Sequence, residues 1–219
     1  MFQWLKNLGG DDSSFQPIVN LFNVMLQDGH RMFDLASNSL LGDVPADVIR
    51  EDLFLTDRKI NHAEQELRRN LIVHASVHGR AEFPSCLVLM SVAKDAERIG
   101  DYCKNIYDLA ASRTFSADDP QFTELQTARQ RISVLLNRVQ NAYASQDEND
   151  AKDVLKEAER LEDACDEQIN NLVAASDSLA SDIAAALTWR YFKRVAGHSK
   201  NVSTAIFMPI HKLDFFDER

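Results

Sequence analysis

An all-α fold of two repeated sets of three helices follows from three features of this chain. Glycine and proline are scarce, 7 and 5 in 219 residues, and long stretches carry neither. Both disfavour helix interiors, so their scarcity points to long helices. Apolar residues return at alternating steps of three and four, as in Leu89, Val92, Ala96, Ile99, Cys103, Ile106 and Ala110, which is one stripe of an α-helix. The chain also repeats itself. Displaced by 96 positions, Arg98 falls on Arg194, Ile99 on Val195, Gly100 on Ala196, Asn105 on Asn201 and Ile106 on Val202. Three helices, a polar linker and three more helices are the expected order.

Taken in sequence, residues 1–14 read as an N-terminal arm whose Trp4 and Leu5 are expected to dock on the body. The first helix is expected from Phe15 to Leu41, with Ile18, Phe22, Met25, Met32 and Leu35 turned inward. A Gly42-Asp43-Val44-Pro45 turn leads into a second helix that runs to about His78, where Pro45 suits a first turn. Its inward residues are Leu53, Ile60, Ala63, Leu67 and Leu71. After the Gly79–Pro84 turn comes the third helix, to Arg113. The linker Thr114–Asp119 ends in Asp-Asp-Pro, a helix-start signal that places the fourth helix at Pro120–Ser145. Its apolar residues are Leu125, Ile132, Leu135, Leu136, Val139 and Tyr143. A strongly acidic fifth helix covers Glu148–Ala174, and the sixth starts near Leu179 and continues through Ile183, Leu187, Tyr191, Val195 and Val202. The division expected is an arm at 1–14, a first bundle at 15–113, and a second bundle with its C-terminal tail at 114–219.

Composition narrows the function classes. A net charge of −10 argues against coating nucleic acid or anionic lipid. Cys86, Cys103 and Cys165 form no CxxC and read as reduced core thiols, which fits a reducing compartment. The densest apolar run, Cys86 to Ala93, is much too short to span a membrane. The first ten residues hold no signal-peptide core, so a cytoplasmic protein is expected.

The chemistry concentrates on two helices. Glu97 and Asp101 stand four apart, one turn above the other, with Asn105 a further turn on. As a bare pair they repel by a few tenths of a kcal/mol, roughly, and a cation between them reverses the sign. On the second helix Asp57, Asn61, Glu64 and Arg68 form a similar row beside the apolar stripe.

The block Asp95-Ala96-Glu97-Arg98-Ile99-Gly100-Asp101-Tyr102-Cys103-Lys104-Asn105-Ile106 resembles the acidic E(D)xxxD motif of the PhoU family of phosphate-signalling regulators. Asp57-Arg58-Lys59-Ile60-Asn61-His62-Ala63-Glu64 is similar to that family's block on the second helix. The resemblance spans about residues 15–205, strongly in the first half and weakly in the second. It implies two three-helix bundles, each able to carry a metal cluster. It also implies a regulator that couples a phosphate ABC transporter, through its ATPase, or another phosphate transporter to a sensor histidine kinase. The expected assembly is a homodimer, with no nucleic-acid partner and no membrane-spanning segment.

On this reading Glu97 and Asp101 meet Asp57, Asn61 and Glu64 around a divalent or ferric ion, such as Mg²⁺, Mn²⁺, iron or Zn²⁺. Oxygen-only ligands favour the harder of these, and Ca²⁺. The site is expected on the first bundle alone. Lys193 and Gly197 stand where Glu97 and Asp101 have their counterparts, and Glu159, Asp163 and Asp166 are the expected counterparts of Asp57, Asn61 and Glu64. The plain alternative is that the acids pair with Arg58, Arg68, Lys94 and Arg98 as surface ion pairs of little weight.

The histidines form no cluster. His62 reads as an exposed bystander, His74 and His78 as partners of a helix C-terminus, and His198 as a residue without a partner nearby in sequence. A rival class, the di-iron carboxylate enzyme, requires Glu-x-x-His pairs, and none of the six histidines has a glutamate three residues before it. With no phosphate-cradling glycine loop and no Ser–His or Cys–His signature, binding and signalling are expected in place of catalysis. A helical scaffold without metal is the third reading.

Overall fold

The computed structural model describes residues 15–175 and 180–213; the arm at 1–14, Leu179 and the end of the tail lie outside the described residues. Six helices follow in order: α1 Gln16–Leu40, α2 Ala46–His78, α3 Phe83–Ser112, α4 Phe122–Ser145, α5 Glu148–Ala174 and α6 Ala180–Thr204. Among the described residues there is no strand.

Helices α1, α2 and α3 pack on one another, as do α4, α5 and α6, and the two sets meet through α3 against α6 and α1 against α4. One continuous apolar core runs through both. The stripes expected on α2, α3 and α4 are buried throughout, and on α1 only Leu35 is partly covered. Phe33 on α1 meets Phe192 on α6 with ring centroids 5.5 Å apart, so the halves share aromatic packing as well as a boundary.

The first half of α6 departs from expectation. Ile183 and Leu187 are exposed, while Ala184, Ala185, Thr188, Trp189 and Phe192 are buried. Two neighbouring stripes compete there. The one carrying Trp189 and Phe192 offers far more apolar area to the core, so it turns inward.

Local chemistry sets the ends. Gly42 and Gly79 adopt φ of 82° and 74°, values that cost a side-chain-bearing residue, and they close α1 and α2. Asp147 caps α5 by accepting hydrogen bonds from the backbone N–H groups of Asn149 and Asp150. The linker is more than a polar spacer. Phe115 is buried and its N–H donates to the Leu40 carbonyl at 2.8 Å. Asp119 accepts the Ser116 N–H at 2.9 Å and pairs with Arg113. The backbone bond, helped by Arg113, holds its carboxyl below the ordinary range. With Asp119 engaged in this turn, α4 begins at Phe122, two residues after the Pro120 start that the sequence predicts.

Candidate functional site: a charged face on two helices and a polar seam between bundles

Helices α2 and α3 run side by side, and their acidic rows face each other across the groove. Lys104 joins them. Its ammonium lies 2.9 Å from Asp57 Oδ1 and 3.0 Å from Asp101 Oδ1. Burial opposes that charge, but the hydrogen bonds to Asp57 and Asp101 outweigh it and hold Lys104 above the ordinary lysine range. Asn61 donates its amide to Asp57 Oδ2 at 3.3 Å, which fixes the carboxylate from the α2 side.

One turn along, Glu64 pairs with Arg68 at 2.8 Å and Glu97 with Lys94 at 2.6 Å. Both contacts are within ion-pair range, yet Glu64 Oε1 and Glu97 Oε2 lie off hydrogen-bond alignment. Burial raises the Glu64 carboxyl; Glu97 and Asp101 push it the same way, while Arg68 and Lys94 oppose. Glu64 therefore senses Glu97 and Asp101 across the groove. Asp101 is also held by Arg98 at 3.2 Å.

Three of the four cations expected to neutralise these acids do so: Arg68, Lys94 and Arg98. Arg58 instead lines the grooves on the far side of α2, with Phe54 on one side and Leu55 and Lys59 on the other. Lys104 is the cation that sequence reasoning missed. Its spacing of three from Asp101 was the available signal.

The acids are also better sheltered than their distance from the apolar stripe suggested. The Glu64, Glu97 and Asp57 side chains are 9%, 11% and 13% exposed. Each of the three is paired with a lysine or an arginine: Glu64 with Arg68, Glu97 with Lys94 and Asp57 with Lys104. Asn105 is exposed and takes no part.

Among the described residues no three His, Cys, Asp or Glu side chains converge as a ready cage for a metal. What suits a hard cation is the pair Asp57 and Asp101, oxygen donors from two helices that bracket a single small positive charge. The ammonium between them stands in for such an ion. Asn61, Glu64 and Glu97 are the further oxygen donors within the same groove.

On the α5–α6 face the chemistry differs. Lys200, at the counterpart of Lys104, holds Glu162 at 2.9 Å, and Lys193 holds Asp166. Asp163 is exposed and points away. The counterparts of Asp57 and Asn61 are therefore Glu162 and Asp166, and the pairing with Glu159 and Asp163 expected from sequence is out of phase by less than one turn. Gly197 stands against Glu162: a Cβ there would lie 2.8 Å from Glu162 Oε1.

The third polar feature sits where α3 meets α6, and it gives His198 the partner that the sequence did not. Asp95 and His198 are both buried, with His198 Nδ1 2.8 Å from Asp95 Oδ1. Asn201 donates to the same oxygen at 2.9 Å. Arg194, which can only donate, lies 3.1 Å from His198 Nε2. That nitrogen is thus the acceptor, and Nδ1 carries the proton toward Asp95. Tyr102 completes the seam. Its hydroxyl accepts from Arg194 Nε at 3.1 Å and its ring stacks on His198 with centroids 5.7 Å apart. The signal for Asp95 was an acid set between Val92 and Ile99 on the buried stripe of α3; its partners, more than a hundred residues away, were not readable.

The remaining histidines are simpler. His62 is 79% exposed. His74 is buried under Phe15 with ring centroids 4.9 Å apart, and stacks on His78 at 4.2 Å.

Known proteins resemble this chain in part of its sequence and in its fold. The model of the PhoU domain matches residues 22–110, which contain the whole α2–α3 charged face. The phosphate-specific transport system accessory protein PhoU homolog of Synechocystis sp. is 26% identical over 153 residues, 68% of this chain and 67% of that protein. Among solved structures, PhoU from Pseudomonas aeruginosa is similar with a TM-score of 0.77 at 14% identity, over 89% of this chain and 96% of that one. The phosphate transport system regulatory protein PhoU from Streptococcus pneumoniae gives 0.71 at 16% identity, over 89% and 95%. At such identities the two structures bear on the fold. Among the described residues no helix is long and apolar enough to cross a membrane.

Proposed function

We propose, from the premise that this chain belongs to the PhoU family, that it regulates phosphate uptake and the phosphate-starvation response. The observation that carries the reading is the PhoU-domain match over residues 22–110. The finer proposal is an adaptor in the cytoplasm, a homodimer that meets a phosphate transporter, through its ATPase, and a sensor histidine kinase. Its work is docking and not bond-making. Two pseudo-repeats, 15–113 and 114–219, would offer two unlike faces to two partners.

We assign the metal capability to the first bundle. Asp57 and Asp101 would supply the first oxygens, with Asn61, Glu64 and Glu97 within the same groove. A bound divalent or ferric ion would supply charge neutralisation and a clamp between α2 and α3. Support comes from the donor chemistry and from the way the two carboxylates already bracket a cation.

Co-purification from phosphate-rich cells tests the regulatory reading. A transporter ATPase or a histidine kinase in the eluate is the expected result; metabolic enzymes alone would remove most of its support. Elemental analysis of Glu97→Ala/Asp101→Ala against the parent tests the metal assignment, and equal metal content in the two would sink it.

A further inference from the structure

The α2–α3 face already holds a cation, and that cation belongs to the chain. Four carboxylates, Asp57, Glu64, Glu97 and Asp101, meet four cations, Arg68, Lys94, Arg98 and Lys104. The face is thus balanced before any ion arrives. Arg68, Lys94 and Arg98 each pair within one turn of their own helix. Lys104 crosses from α3 to α2 and takes the position between the two carboxylates that a small ion would take. A metal and this ammonium cannot share that position, because two like charges would face each other with the same oxygens between them. The side chain is 26% exposed at the end of a flexible four-carbon stem, so it has a route into water.

We propose that Lys104 is a tethered cation that competes with a divalent metal for the Asp57–Asp101 bracket and so sets the affinity of the first bundle for metal. This rests on the metal assignment made above. The second half pairs its lysines singly. Lys200 holds Glu162 and Lys193 holds Asp166. With Gly197 in place of Asp101, α6 offers no carboxylate there to complete a bracket. Two ammonium groups face two carboxylates, and an incoming ion would have to expel both. The first half therefore has one lysine bridging two carboxylates, and the second has two separate lysine–carboxylate pairs.

The test is Mn²⁺ titration, by calorimetry and by thermal shift, of the intact chain and of three variants. Lys104→Met removes the charge and keeps the stem. It should bind Mn²⁺ about tenfold more tightly than the parent or better. Adding Asp57→Asn should abolish the gain. Lys193→Met should leave Mn²⁺ binding as in the parent. Equal affinity in the parent and in Lys104→Met, lost on adding Asp57→Asn, would overturn the competition and leave the metal assignment standing. Failure of every folded variant to bind Mn²⁺ would overturn both, while the co-purification result would still decide the regulatory reading.

A second measurement needs no substitution at all. In trace acetylation of the unaltered protein read by mass spectrometry, saturating Mn²⁺ should raise labelling of Lys104 and leave Lys200 unchanged. Unaltered Lys104 labelling with Mn²⁺ bound would overturn the proposal.

Discussion

The α2–α3 and α5–α6 faces are built on the same register and carry opposite solutions to the same charge problem. Lys104 and Lys200 stand at matching positions, and each reaches back to an acid on the preceding helix, Asp57 and Glu162. Beyond that lysine the faces part. The first keeps Glu97 and Asp101; the second has Lys193 and Gly197. Carrying the same step along α5 puts the partly buried Ile169 opposite the position of Glu64. The core positions change far less: Ile99 and Val195, Gly100 and Ala196, Ile106 and Val202. The difference teaches which constraints hold a duplicated fold in register. Apolar stripes bury area on which the whole bundle depends, whereas a partly exposed ion pair contributes about 1 kcal/mol or less. The stripe persists and the charged face is free to diverge.

The seam where the halves meet should respond most strongly to mutation. Asp95→Ala leaves His198 Nδ1 and Asn201 Nδ2 without their acceptor in a buried position, a loss of about 3 kcal/mol. Chemical denaturation should show that loss, and a change within about 0.5 kcal/mol would mean the network is not closed in solution.

Next comes an attempt to make the second face resemble the first, by Lys193→Glu with Gly197→Asp. It breaks the Lys193–Asp166 pair, and the new side chain at 197 displaces Glu162 from Lys200. Asp166 is half exposed, so screening reduces the effect to about 2 kcal/mol without metal. Mn²⁺ should recover part of it by binding the native state. A melting temperature indifferent to saturating Mn²⁺ would show that the second face has lost the geometry for a cation as well as the ligands.

A matched pair of single changes gives a smaller effect. Asp57→Asn and Glu162→Gln each remove one cross-helix lysine contact, and each should cost about 1 kcal/mol after allowance for exposure. Equal losses would support the equivalence of Lys104 and Lys200; a large inequality would break it.

The smallest effect is a pH dependence confined to the first face. The Glu64 carboxyl is raised, so the native state takes up that proton more readily than the unfolded chain. Its contribution is fully present below the unfolded value and is lost as pH rises through the folded one. The stability of the parent relative to Glu64→Gln should therefore fall as pH rises from 4 toward 7, by under about 1 kcal/mol. Ile169 has no such proton, and a similar slope for Ile169→Val would rule out Glu64 as its source.

Much of this architecture was readable before any coordinates. The six helices, the turns at Gly42 and Gly79, the buried stripes of α2, α3 and α4, and the repeat over 96 positions all follow from local chemistry. Helical periodicity is written into consecutive residues, and so is the four-residue spacing of Glu97 and Asp101. The phase of α6 was less legible, because two adjacent stripes were both apolar and the one that carries Phe192 is the one that packs against Phe33. Which cation would lie between Asp57 and Asp101, and which acid would meet His198, depends on how two helices rotate and slide against each other. Those quantities are fixed by the sum of many core contacts between distant residues. The sequence alone thus determined the helices and the acids they carry, and the tertiary structure decided their partners, since a helix's own periodicity specifies its faces but not what another helix brings to them.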